Sequence, residues 1–395
     1  MIENQAGSVA SIRSMLEVNP YPVYAQLRQM GRIFWHPELS HWVVTRHHEA
    51  DTILRDGRFS ANRSRWEGYV PPPGQDKPSP MMTDVDPPDH TRLRNLVQQA
   101  FTPRVVEEMR PRVSAYADEL LAAVARRDEV DLVEALAYPL PVLVIADLLG
   151  VPAADRDRFQ RWSADMADSM DPTTHGPGSE SGGAARNELR RYLGTIADER
   201  RSEPRDDMIS RLVAAEEDGD RLSTDELLDM CVLLLAAGHE TTVNLIGNGV
   251  NALLDDPDQL RLLRGRPELM ETAVEEFLRY DSPVQMNSRV PVEDVELSGS
   301  TLRAGQMILI LVGSANRDPE EFEDPDRLDV TRPVNHHLAF GRGIHFCLAA
   351  PLARMEARIA IGRLLERFPE LRRAGEPTRR PNPVFRGLAT LPVAL

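Results

Sequence analysis

Among the residues able to do chemistry, Cys347 is the most informative because of its surroundings. It lies in Ala339-Phe340-Gly341-Arg342-Gly343-Ile344-His345-Phe346-Cys347-Leu348-Ala349-Ala350-Pro351-Leu352-Ala353-Arg354. Two glycines let the backbone turn where a residue with a Cβ would clash. An Ala/Leu/Arg-rich helical run then begins just after the thiol. The unpaired amides of a helix N-terminus and the positive end of its dipole favour a thiolate there. With no second cysteine nearby, such a thiolate is poorly suited to structural zinc, which usually takes four ligands. It suits a metal needing one protein ligand, of which haem iron held by a cysteine is the leading case. An isolated Gly-x-x-x-Cys is more often a small buried residue, so the argument needs the whole string.

A second group interrupts a long apolar helical run: Ala237-Gly238-His239-Glu240-Thr241-Thr242. Glycine costs roughly 1 kcal/mol in a helix interior, and paired threonines add β-branched crowding. Thr241 can bond the carbonyl four residues back, which loosens a helix. Taken alone, this also describes a kinked core helix with one solvated acid. Elsewhere Glu276 and Arg279, at i and i+3, share a helical face. Exposed pairs of that kind contribute only a few tenths of a kcal/mol. His90 and Arg94, at i and i+4, also share a face.

Together these strings resemble the cytochrome P-450 superfamily, in its soluble bacterial type. Phe340, Gly341, Gly343, His345, Cys347 and the following Leu-Ala-x-x-Leu-Ala-Arg match its haem-binding loop in order and spacing, and the motifs run in the family's order from about Tyr21 to Leu391. The resemblance implies haem b with Cys347 as its iron ligand, and Phe340, Gly341 and Ala349 in the loop around it. It implies that Glu240 and Thr241 form the acid–alcohol pair that delivers protons during cleavage of dioxygen. Small Ala237 and Gly238 would leave room beside the iron. His90, Arg94, Arg289 and His345 match positions that hold the haem propionates. Glu276 and Arg279 match a buried structural pair, completed by an arginine of the later meander, Arg327 or Arg332. Ala349 departs from the pattern, standing where the family usually has glycine, and altered packing or haem tuning is expected there.

The elements needed to position these residues are mostly helices. Apolar periodicity predicts helices over 21–30, 47–54, 90–100, 104–126, 139–149, 153–170, 186–202, 225–254 and 267–280, and another from the cysteine loop to about Phe368. Ser223-Thr224-Asp225-Glu226 gives the long helix a capped start. Strands are expected at 32–36 and 41–45, forming a hairpin, and at 284–290, 295–297 and 306–312. Proline-rich 56–88 reads as a long loop, and 171–183 (DPTTHGPGSESGG) as breaker-rich. With no repeat or low-complexity divider, the expectation is one mainly α domain with small β-sheets (α+β) over 1–395. The resemblance implies a P-450 fold, with haem between the long central helix and the cysteine-loop helix and mobile lids near 56–88 and 160–190.

The chain has 395 residues, 42% hydrophobic, and a formal net charge of −16. That charge argues against nucleic acid or an anionic membrane as a partner. Two cysteines, Cys231 and Cys347, exclude a disulfide scaffold and fit a reducing cytoplasm. No basic-apolar leader and no run of roughly 20 apolar residues is read from the sequence, so a cytoplasmic protein outside the membrane is expected. The resemblance implies a monooxygenase that inserts one oxygen atom of O2 into an unactivated C–H bond of a hydrophobic small molecule. Macrolides, polyketides, terpenoids, steroids and fatty acids all remain open. Leu233, Leu234, Ala237, Gly238, Val284, Gln285 and Val384 are expected at the substrate. No flavin or ferredoxin module follows, so a separate ferredoxin with its reductase is the expected electron source. Its docking is expected near Arg104, Arg110, Arg112, Arg342 and Arg354, on a monomer. Two other classes are weighed. A peroxide-driven haem hydroxylase or decarboxylase generally lacks the acid–alcohol pair, and a gas-binding haem protein usually needs an output module.

Overall fold

Caps and prolines mark where the helices begin. Thr102 Oγ1 accepts from the Val105 amide (3.3 Å) ahead of Pro103. Asp207 accepts from Ser210 (2.8 Å), and Asp256 from Gln259 (3.2 Å) ahead of Pro257. At Ser223 the capping box is reciprocal: its hydroxyl accepts from the Glu226 amide (3.2 Å), while Glu226 accepts from the Ser223 amide (2.8 Å). Each cap satisfies donors that the first helical turn leaves unpaired.

The computed structural model describes residues 19–70, 81–169, 180–217 and 219–395. The chain packs as two compact units. The described residues of the first are 19–70, 247–347 and 377–390. Its centre is a five-stranded sheet in the order Ile33–His36, His41–Val44, Met307–Leu311, Met286–Pro291, Phe59–Ser60. The first two strands form the expected hairpin, with Trp35 opposite Trp42. Met307–Leu311 runs parallel to His41–Val44 and antiparallel to Met286–Pro291, with Ile308 opposite Arg289. Side chains alternate across a strand, so Ile308 and Ile310 share one face and bury against Ile53 and Leu54 of the His47–Arg55 helix. Leu338, just before the cysteine loop, belongs to that core. The loop is therefore rooted in packed apolar side chains.

The described residues of the second unit are 81–169, 180–217, 219–246, 348–376 and 391–395. It contains helices Asp89–Ala100, Pro103–Val124, Pro139–Leu149, Arg156–Ser169, Glu180–Ser202 and Met208–Ala214. The first part of Thr224–Asp255 and all of Ala350–Arg367 also belong to it. A three-stranded sheet (Arg372–Arg373, Pro392–Ala394, Glu129–Asp131) accompanies them. The architecture is mainly helical with small sheets, as expected.

Several boundaries differ from the sequence reading. The 186–202 helix starts at Glu180 and runs through the Gly182-Gly183 pair, while 171–179 lie outside the described residues. Leu189, Leu193 and Ile196 give this helix a buried stripe that outweighs the local breakers. The proline-rich stretch after Asp56 is not irregular throughout. Phe59–Ser60 pairs with Val290–Pro291, and the Glu67 amide donates to Gly305 O (3.0 Å), whereas 71–80 lie outside the described residues. Short helices at Met208–Ala214 and Pro257–Gly265, and the strand Ser300–Leu302, were not foreseen. Among the described residues, Thr224–Asp255 is long and apolar enough by composition to cross a membrane, contrary to the sequence reading, yet 72% of its most apolar window is buried inside the protein. It is a core helix.

Candidate functional site

The cysteine loop is shaped by two left-handed glycines, Gly341 (φ +69°) and Gly343 (φ +66°). A Cβ on Gly343 would lie 2.6 Å from the Leu54 carbonyl oxygen and 3.0 Å from Arg55 Cα, both backbone atoms that cannot step aside. The turn closes through backbone bonds: Gly341 N–H to Leu338 O (2.8 Å), Phe346 N–H to Gly343 O (3.1 Å) and Cys347 N–H to Phe340 O (2.9 Å). Leu338 N–H is held by Asn316 Oδ1 (2.7 Å). Arg342 reaches Asp51 (3.2 Å) and His336 O (2.9 Å), fixing the outer side. Phe340 and Phe346 meet edge to face at 6.3 Å.

Cys347 is half-buried and lies three residues ahead of the Ala350–Arg367 helix. Ala349 has φ −88° and ψ 10°, a conformation open to any residue, so nothing in the backbone demands glycine there. Cys231 is the contrast: burial pushes its thiol up to about 12 and makes it inert as a ligand. Among the described residues no group of three or more His, Cys, Asp or Glu side chains could hold a metal ion by itself. One sulfur in a rigid, glycine-turned cradle fits a metal that arrives with its own in-plane ligands, as haem iron does.

The central helix supplies the second group. Along a mostly buried element, Leu233, Ala236, Ala237, Gly238 and Thr241 keep solvent access, while Cys231, Val232, Leu235, Val243 and Ile246 are buried. The accessible positions recur at helical spacing and form one open stripe. Leu234 is buried on another face. Thr241 Oγ1 donates to Ala237 O (2.7 Å) and Thr242 Oγ1 to Gly238 O (2.8 Å), so two successive carbonyls carry side-chain bonds. Such back-bonding weakens the local ladder. Glu240 is buried, and Asn244 Nδ2 donates to its Oε1 (3.3 Å). The His239 ring meets Tyr138 edge to face at 4.8 Å. A hydroxyl and a carboxyl thus sit one residue apart, the first accessible and the second sheltered.

Glu276 and Arg279 are completely buried, not a solvated surface pair. Glu276 accepts twice from Arg279 (both 2.8 Å) and once each from Arg332 Nε (3.1 Å), Asn335 Nδ2 (3.1 Å) and the Asp329 amide (2.9 Å). Of the two candidate meander arginines, Arg332 supplies the cation. Arg327 contributes its carbonyl, which accepts from Arg279 Nη2 (3.2 Å).

His90 and Arg94 share a face of the Asp89–Ala100 helix. Burial, then the Arg94 charge, lowers the imidazole's affinity for a proton. Arg289 is buried in its strand, with Nη1 donating to Asn287 Oδ1 (2.9 Å) and Ser288 O (2.8 Å). His345 is half-buried in the cysteine loop. Val284 and Val384 are half-buried, and Val284 faces Phe385 across a bridge. Gln285 is buried, its amide donating to Ser282 O (2.8 Å) and Tyr21 Oη (3.3 Å), so its side chain supports the turn from behind. Of the arginines expected at a docking face, four have these acidic neighbours: Arg104 has Glu108, Arg110 has Glu107, Arg112 has Asp147 and Arg342 has Asp51. The positive charge of these four is largely offset locally.

The sequence reading missed Asp281, Asn248, Arg379 and Arg386, which converge behind the Val284 turn. Asp281 lies 98 and 105 residues from its arginine partners, so no local spacing could have paired them.

Residues 263–392 match the family model "Cytochrome P450". Over 390 residues the chain is 45% identical to "Cytochrome P450 107B1" of Saccharopolyspora erythraea, covering 94% of this chain and 93% of that one. It is also 45% identical over 388 residues to "Vitamin D(3) 25-hydroxylase" of Pseudonocardia autotrophica, covering 95% and 94%. Among solved structures, P450BioI in complex with a hexadec-9Z-enoic acid ligated acyl carrier protein superposes with a TM-score of 0.90 at 39% identity, covering 98% of this chain and 100% of that one.

Proposed function

The chain belongs to the cytochrome P450 family, whose bacterial members bind haem b and are named monooxygenases and hydroxylases, and on that premise we propose that it inserts one oxygen atom of O2 into an unactivated C–H bond of a hydrophobic small molecule. The observation that carries the reading is the Cys347 loop: one half-buried thiol on a glycine-turned, hydrogen-bonded cradle at a helix start. Bound haem supplies the redox centre that activates dioxygen.

The chain's residues then take these roles. Cys347 is the iron ligand, its backbone held by Phe340, and Phe340, Gly341 and Ala349 flank it. His90, Arg94, Arg289 and His345 neutralise the haem's carboxylates, which cannot be buried without donors. Thr241 turns its hydroxyl away from Ala237 O to deliver a proton into the accessible stripe, and Glu240 resupplies it. Leu233, Ala237 and Gly238 along the stripe, with Val284 and Val384, contact the substrate. Leu234 and Gln285 back these surfaces from the core. Glu276 and Arg279 are structural.

Electrons come from a separate ferredoxin and its reductase, acting on a cytoplasmic monomer. The substrate class is hydrophobic or amphipathic, in keeping with relatives named for vitamin D(3) and a fatty-acyl carrier. The deciding experiment is the dithionite-reduced, carbon monoxide-bound spectrum of wild type and Cys347→Ser. A strongly red-shifted Soret band that vanishes in the variant is expected. A histidine-like Soret band in fresh wild type would overturn the ligand assignment. Turnover with a surrogate ferredoxin and reductase, compared with peroxide alone, then tests the electron source. Turnover by peroxide alone would favour the peroxide-driven class.

A further inference from the structure

The first unit contains a polar cluster that the proposed chemistry does not use. Asp281 follows the Met270–Tyr280 helix and stands three residues before Val284 of the Val284–Gln285 turn. Its Oδ1 accepts from Arg386 Nε (2.6 Å) and Tyr21 Oη (2.8 Å), and its Oδ2 from Arg379 Nη2 (2.9 Å). Asn248, on the last turns of the central helix, completes the ring. Its Nδ2 donates to Arg386 O (2.8 Å) and Asp281 O (3.2 Å), and its Oδ1 accepts from Arg379 Nη1 (3.2 Å).

Arg379 and Arg386 bracket the segment that carries Val384 and Phe385. That segment is bonded directly to the other turn: Gln285 N–H to Val384 O (2.8 Å), Arg386 N–H to Pro283 O (2.8 Å), and the Val284–Phe385 bridge. Two turns far apart in sequence thus form one surface, and a single buried carboxylate ties its ends. Burial by itself would raise the Asp281 carboxyl, yet Arg386 and Arg379 hold it well below the usual carboxylate range.

We propose that Asp281 is a positioning residue which, with Asn248, holds the Val284–Gln285 and Val384–Phe385 turns in register and so sets which large ligands the haem site accepts. The proposal rests on the reading that these turns face substrate. A carboxylate shared by two guanidinium groups fixes position better than apolar contact, because its hydrogen bonds are directional. Loosening it lets the two turns shift together.

The test uses holoenzyme and two haem-directed probes, imidazole and clotrimazole, titrated by difference spectroscopy. Imidazole is small enough to reach iron without touching the turns, whereas clotrimazole must pack against them. Asp281→Asn and the milder Arg379→Gln are compared with Asp326→Asn, an exposed carboxylate that binds Arg317 (3.0 Å) and lines one surface cavity together with Asp281, Arg379 and Arg386. Asp281→Asn and Arg379→Gln should weaken clotrimazole about tenfold or more, the scale of a misplacement remote from the chemistry. Imidazole affinity should stay within about twofold, and Asp326→Asn should change neither. If Asp281→Asn does not retain haem, Arg379→Gln decides. Equal losses for both probes, or no loss for clotrimazole, would overturn the positioning role. Failure of the haem reading itself would look different, since wild type would then give no azole spectrum and no red-shifted carbon monoxide band.

Discussion

Replacing Glu276 by Gln should cost about 4 kcal/mol of stability, a value that follows from its contacts. The substitution keeps the side chain's shape and removes one charge. Oε2 accepts from Arg279 Nε, Arg332 Nε and Asn335 Nδ2, and Oε1 accepts from Arg279 Nη2 and the Asp329 amide. Whichever way the new amide is turned, its NH2 faces at least two donors. Buried donors left unmet cost about 1–3 kcal/mol each, and breaking a buried ion pair from one side costs about 3–5 kcal/mol. These overlap, because the same guanidinium groups enter both. About 4 kcal/mol is roughly a thousandfold in the folding constant, a large part of the roughly 5–15 kcal/mol that a folded domain has. Guanidinium denaturation followed by tryptophan fluorescence measures it, with Trp35 and Trp42 packed edge to face at 5.7 Å reporting on the same unit. A double-mutant cycle with Arg332→Gln should give a coupling of about 2 kcal/mol. A loss below about 1 kcal/mol, with additive single effects, would refute the buried-hub argument and return the pair to an ordinary surface contact.

Gly343→Ala should reduce haem retention and lower the melting temperature, because its methyl meets the Leu54 carbonyl at 2.6 Å and its φ of +66° is left-handed. Haem content per chain and thermal unfolding check this, and an unchanged pair of values would count against the cradle. Thr241→Ala should leave the carbon monoxide spectrum intact while product per electron pair falls about tenfold, with hydrogen peroxide rising to match. Coupling equal to wild type would remove Thr241 from proton delivery. Glu356 is buried in the Ala350–Arg367 helix, and burial raises its carboxyl well above the ordinary 4.5. The folded state therefore keeps a proton that the unfolded chain releases above 4.5, so this group's contribution to stability falls as pH rises from there. Glu356→Gln should be close to neutral near pH 4.5 and increasingly stabilising toward pH 8, read as the difference in melting temperature. A difference independent of pH would refute the assignment.

Most of the helices and the motif residues could be read from the amino-acid sequence, because both depend on short-range spacing. The 3.6-residue period placed Tyr21–Met30 and Pro139–Leu149, and the Ser223–Glu226 capping box set the start of the central helix. Two glycines ahead of Cys347 predicted a turn, and the turn has left-handed residues at both. The i+4 rule foresaw the Thr241 bond to Ala237 O. Other features depended on the folded chain. Burial turned Glu276 and Arg279 from a weak surface pattern into a fully enclosed hub and selected Arg332 over Arg327 as its second cation. Long-range packing put Leu234 in the core, kept Ala237 accessible and spent the Gln285 amide behind its turn. It also brought Asp281 to Arg379 and Arg386. A local motif records only neighbours along the chain, whereas burial and charge pairing are set by which distant segments exclude water from one another, and that is decided only when they pack.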